Sequence, residues 1–172
     1  MTLRRTDRTL TARDSLGVEF RCVSAKGRRY SRALKCDAIA LMTAAGLPAC
    51  ELSLTLTTDA SIRALNREYR KKDRATDVLS FSQIEERGRA RVAPRAVRNI
   101  EGMPLGDVVI SIDTALAQSR EYDVAPSERL RTLLIHGFLH LLGYDHERSP
   151  AQARKMFARE RELAAAIAKS LR

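Results

Sequence analysis

All three histidines of this 172-residue chain stand close together, in His136-Gly-Phe-Leu-His140-Leu-Leu-Gly-Tyr-Asp-His146. Chance scatter is a poor account of that clustering. Two histidines four apart on a helix lie one turn above each other, with β-carbons about 5–6 Å apart. Their ring nitrogens can then converge on one ion at about 2.0–2.1 Å. Gly143 can take the left-handed conformation that ends a helix, so that Tyr144 and Asp145 turn the chain and His146 swings back as a third ligand. Three neutral nitrogen donors suit a single zinc ion and leave a fourth tetrahedral position for water, the pattern of a catalytic site rather than a structural one.

The spacing of four and then six, with glycine three after the second histidine, is also the skeleton of the zinc endopeptidase motif H-E-x-x-H-x-x-G-x-x-H. That enzyme class uses the glutamate after its first histidine as general base, and here the position is Gly137, which moves no proton. Peptide hydrolysis by that route is disfavoured. A glycine inside a helix costs about 1 kcal/mol relative to alanine, so Gly137 calls for a reason. Space for a bulky substrate and close packing of the helix on a sheet both supply one. Asp145 reads as a turn residue, with orientation of a ligand histidine as the alternative.

The elements that must position these residues follow from periodicity. A strand is predicted over Val18 to Val23, then a helix from Tyr30 to Ala45 stopped by Gly46 and Pro48. From Glu51 to Thr57 leucine alternates with serine or threonine, the period of a half-buried strand. A helix over Asp59 to Arg70 and a strand at Val78, Leu79 and Phe81 come next, and this strand, helix, strand succession suggests a right-handed parallel crossover. After an Arg-rich exposed loop from Gln83 to Pro104, a further strand is predicted at Val108 to Ile112. Helices follow at Asp113 to Tyr122, at Pro126 to Leu142, and from a Ser149 cap with Pro150 to the C-terminus. The expected fold is α/β (α+β): a small mixed, mostly parallel sheet of about four strands covered by five helices, with the metal site on a helix and the turn after it.

A chain of this length reads as one domain spanning residues 1–172, with residues 1–17 a basic, mobile arm carrying Arg4, Arg5, Arg8 and Arg13. No apolar run nears the ~20 residues of a membrane span and the N-terminus lacks a leader pattern, so a cytoplasmic protein with no membrane association is expected. Cys22, Cys36 and Cys50 are too scattered to suggest disulfides or thiolate ligation. The net charge of +10 favours a polyanionic partner, nucleic acid first, although arginine content also follows genomic base composition. With 5% aromatic residues and no tryptophan, a dedicated base-stacking platform is not indicated.

Arg67, Arg70, Lys71, Lys72 and Arg74 crowd the junction between the second helix and the following strand. Any one of them is by default a solvated charge, but an arginine facing the metal would hold a phosphodiester with its planar fork. Here the sequence resembles the YbeY family of bacterial rRNA maturation endoribonucleases. The pattern H-G-x-L-H-L-x-G-Y-D-H is met at every fixed position from His136 to His146, and L-N-x-x-Y-R-x-K-D from Leu65 to Asp73. Leu105-Gly-Asp-Val-Val-Ile-Ser111, Met156 and Glu160 agree as well, so the likeness covers most of residues 50–165. The family commonly has proline where Ala75 and Ser82 stand, and residues 1–17 and 85–99 lack a clear counterpart.

The resemblance implies a zinc-dependent, single-strand-specific endoribonuclease acting on rRNA with the small ribosomal subunit, in 16S 3′-end maturation and ribosome quality control. It implies a substrate or transition-state contact for Arg70, and no small-molecule cofactor. Zinc would acidify water and polarise a phosphoryl oxygen while Arg70 stabilises charge on the phosphate. No general base is visible, and the 2′-hydroxyl of RNA is an alternative attacking group. A metalloprotease-like amide hydrolase and a non-catalytic assembly factor are the rival readings.

Overall fold

The computed structural model describes residues 17–84 and 100–170. Apart from Gly17 the basic arm lies outside the described residues, as does residues 85–99 of the Arg-rich connection. Four strands form one sheet in the order β1-β2-β4-β3: β1 (Val18–Cys22), β2 (Glu51–Thr57), β3 (Val78–Ser82) and β4 (Pro104–Ser111). Strands β1 and β4 flank β2 and run parallel to it, pairing Val18 with Leu52 on one side and Leu54 with Val108 on the other. The sheet is therefore mixed and mostly parallel, as the sequence predicts.

Strand β3 departs from the predicted crossover. It pairs antiparallel with β4, Val78 against Ile110 and Ser80 against Val108, at the edge of the sheet. The chain leaves β2 beside Ser111 and re-enters the sheet beside the adjacent Ile110, because α2 (Asp59–Arg70) ends at left-handed Lys71 (φ 59°) and residues 71–77 return it to the end it left. Strand β4 also starts four residues earlier than predicted. Pro104 stands at its first position, where a missing N–H is tolerated, and Gly106 (φ 132°) follows a register shift opposite Glu51 and Leu52. A β-carbon on Gly106 would lie 2.1 Å from the Phe81 carbonyl oxygen, so only glycine admits β3 this closely.

The other helices are α1 (Arg28–Ala44), entered through a 3-10 turn at Ala25–Gly27, α3 (Ile112–Glu121), α4 (Pro126–Leu141) and α5 (Pro150–Ser170). Their ends carry the expected chemistry: Thr58 and Ser111 accept the Ser61 and Thr114 amides, and the Ser149 hydroxyl accepts that of Gln152. One face of the sheet, with Leu52, Leu54, Leu56, Val108 and Ile110, is buried with residues of α1, α4 and α5 in a single core. On the other face, Ile62 of α2 packs with Leu79 and Val109. A nearly buried ion pair, Asp37 with Arg131 at 3.1 Å, ties α1 to α4; burial raises the Asp37 pKa and the guanidinium opposes it. Cys22, Cys36 and Cys50 form no disulfide with one another. Among the described residues, no helix is long and apolar enough to cross a membrane.

Candidate metal centre

Helix α4 lies on β3 and β4 at a separation set by Gly137. A β-carbon there would stand 2.8 Å from Val108 Cγ1, 3.0 Å from Ser80 Oγ and 3.1 Å from Val78 Cγ2. Of the two reasons weighed for this glycine, close helix-to-sheet packing is the one the structure supports. Two strand hydroxyls then clasp the helix: Ser80 Oγ donates to the Gly137 carbonyl at 2.9 Å and Ser82 Oγ to the Leu141 carbonyl at 3.0 Å.

The last turn of α4 accounts for all of its carbonyls. Leu142, Tyr144 and Gly143 amides donate to Phe138, Leu139 and His140, the pattern of a glycine-terminated helix, with Gly143 at φ 86°. Leu141 would be the orphan, and Ser82 from the neighbouring strand supplies its donor. Asp145 then accepts the Glu147 amide at 3.0 Å, a turn contact, and the chain arrives at His146.

This turn brings His136, His140 and His146 together, each half-buried, with one candidate ligand nitrogen apiece all within 4.8 Å of one another. The Nε2 atoms of His136 and His140 are 3.1 Å apart. Two nitrogens bound tetrahedrally at about 2.0–2.1 Å would stand about 3.3 Å apart, so the spacing is that of a chelating pair. His146 Nδ1 is buried and, among the described residues, lacks a hydrogen-bond partner. Burial, reinforced by His136 and His146 and opposed by Asp145, pushes the His140 pKa down to about 4, so the ring stays neutral as a ligand must. The three histidines can hold a metal ion. Among the described residues no fourth histidine, cysteine or carboxylate joins the cluster.

Glu160, from α5, accepts or shares the Nδ1 proton of His136 at 2.8 Å, which aims Nε2 at the cluster. Sequence reasoning placed Glu160 only by family likeness. A direct signal was present: Met156, Leu163 and Ile167 are the buried residues of α5, and Glu160 continues their helical row with a carboxylate where an apolar side chain is expected. Arg70 closes α2 on the far side of edge strand β3, since α2 packs on Leu79 and α4 on Ser80. It is exposed, and among the described residues it has no hydrogen-bond or ion-pair partner, so the structure does not join it to the histidines. Neighbouring Arg63 is engaged differently, in a two-pronged pair with Asp73 at 2.8 and 2.9 Å.

Residues 28–168 match the family described as Endoribonuclease YbeY. The chain belongs to the YbeY family. Relatives bearing that description include proteins of Anaeromyxobacter sp. (strain Fw109-5), 48% identical over 82% of this chain and 67% of its own length, and Chloroflexus aggregans, 44% identical over 74% and 81%. The chain spans 66% of the length of the Anaeromyxobacter dehalogenans relative and 46% of the Myxococcus xanthus one. The same fold is met in the solution structure of TM1509 from Thermotoga maritima, which superposes with a TM-score of 0.60 over 90% of this chain and 91% of that one at 23% identity.

Proposed function

We propose that this protein is a zinc-dependent, single-strand-specific endoribonuclease, acting in the cytoplasm on rRNA of the small ribosomal subunit, in 16S 3′-end maturation and ribosome quality control. The observation that carries the reading is the convergence of His136, His140 and His146, in a chain whose relatives are described as endoribonucleases. The donor set fits zinc: three imidazole nitrogens, one held by a carboxylate and one kept neutral by burial. A zinc ion bound there supplies a Lewis acid that polarises a phosphoryl oxygen and acidifies water.

The chain's own residues do the rest. Glu160 fixes the tautomer and aim of His136, and the Ser80 and Ser82 clasp holds the helix that carries His136 and His140. Arg70, across the β3 edge, is our choice for a phosphate contact, its guanidinium being free of any carboxylate among the described residues. An RNA strand meeting both groups would cross that edge. The net charge of +10 favours such a polyanion. An amide hydrolase of the zinc endopeptidase kind finds no support, because the position of its general base is Gly137, pressed against Val108 and Ser80.

The test is cleavage of a single-stranded 16S 3′ fragment by wild-type, chelated, zinc-restored and His140→Ala protein. Loss with chelation and with the substitution, and recovery with zinc, is the expected outcome; equal cleavage in all four would overturn the reading. The ends produced identify the attacking group, a 2′,3′-cyclic phosphate marking the 2′-hydroxyl.

A further inference from the structure

The chain has four phenylalanines, and three are accounted for by packing: Phe138 is buried, while Phe20 and Phe81 are half-buried against the two cores. Phe157 is different. It is 43% exposed on α5, immediately after buried Met156, and it belongs to neither core. Its nearest aromatic neighbour is a histidine of the cluster, His146, at 6.2 Å between ring centroids and 33° between planes.

Of its helical neighbours three and four residues away, Ala153 and Glu160 are half-buried, Glu160 bonded to His136, and the two exposed ones are cationic. Arg154 and Arg161 stand three before and four after Phe157, on the same face of α5, and both are exposed. Among the described residues neither has an ion-pair partner, whereas Arg159, off that row, is paired with Glu162. An apolar ring held open to water costs free energy unless something covers it. A ring flanked by two cations matches a ligand that alternates flat apolar faces with anionic groups. Single-stranded RNA is such a ligand.

We propose that Phe157 is the base-stacking residue of the metal centre: a nucleobase of the single strand beside the scissile phosphodiester lies on its open face, with Arg154 and Arg161 meeting backbone phosphates. This rests on the endoribonuclease reading and deepens it by assigning the preference for single strands to one side chain. A paired base keeps its faces covered by its neighbours and has none to offer the ring. The low aromatic content argues against an array of stacking rings, but one ring at the site of cleavage is enough to orient one nucleotide.

The experiment compares wild type with Phe157→Leu, Phe157→Tyr and Phe157→Trp on a single-stranded rRNA fragment, with zinc content measured for each. Phe157→Leu keeps an apolar side chain and loses the π-face, so KM rises roughly five- to a hundredfold while kcat and zinc content hold, and Phe157→Tyr restores KM. The wild type has no tryptophan, so Phe157→Trp places a single tryptophan at the site, excited apart from the four tyrosines. Its emission is quenched by the single strand and not by the same strand in a duplex. Unchanged KM in Phe157→Leu, with active wild type, overturns the stacking role and leaves the nuclease reading standing. If no protein cuts RNA, the nuclease reading fails and the tryptophan titration alone decides stacking, absence of quenching overturning it.

Discussion

Glu160 holds His136 by its Nδ1 at 2.8 Å, and through that bond α5 sets the aim of a ring carried by α4. Replacing the carboxylate leaves all three nitrogens in place but unties one of them. Glu160→Ala is expected to weaken zinc binding by roughly ten- to a hundredfold. Competition with a chromophoric chelator measures this, and an unchanged affinity would sink the assigned role.

Ser82→Ala removes the donor to the Leu141 carbonyl, which sits on a buried residue at the end of α4. The expected loss is about 1 kcal/mol, read from urea denaturation of the metal-free protein. Ser82→Thr keeps the hydroxyl and should lose less.

Gly137→Ala separates the two readings of that glycine. Alanine gains about 1 kcal/mol of helix propensity, while overpacking against two stiff valines costs about 1–3 kcal/mol. Packing is expected to win, giving a lower unfolding temperature together with weaker zinc binding. A variant as stable as wild type but inactive would instead argue for substrate space.

The sign of the pH dependence follows from His140. Its pKa in the metal-free fold is about 4, against 6.5 for the exposed ring, so between those values the unfolded chain binds more protons. The contribution to stability is fully present above pH 6.5 and is lost as pH falls toward 4. Urea midpoints of chelated protein at pH 7, 5.5 and 4.5 should fall more steeply for wild type than for His140→Leu. Parallel curves for the two proteins would contradict the assignment.

Much of this was legible in the chain. The alternation of Leu52, Leu54 and Leu56, the cap at Ser149, and the spacing of the histidines are local signals, and each local signal appears where it was read. What escaped was non-local. The direction of β3 depends on where residues 71–77 deliver the chain, and the start of β4 was hidden by Pro104 and Gly106, residues that read as breakers until a neighbouring strand explains them. The clasp of Ser80 and Ser82 was equally invisible. Serine in a short strand carries no mark of the helix carbonyl it will meet.

Among the described residues strand β3 is bonded to the sheet along one side only, yet it carries both hydroxyls that seat the histidine helix. The residence of an ion held by the three histidines and the lifetime of the fold would therefore be set by different events. Fraying of this one edge undoes the clasp on the last turn of α4 while β1, β2 and the core residues of α4 stay packed, so a bound zinc ion would exchange through a local opening at far less cost than unfolding. Amide protection in β3, rather than the melting temperature, is the quantity that would report how long a bound ion stays.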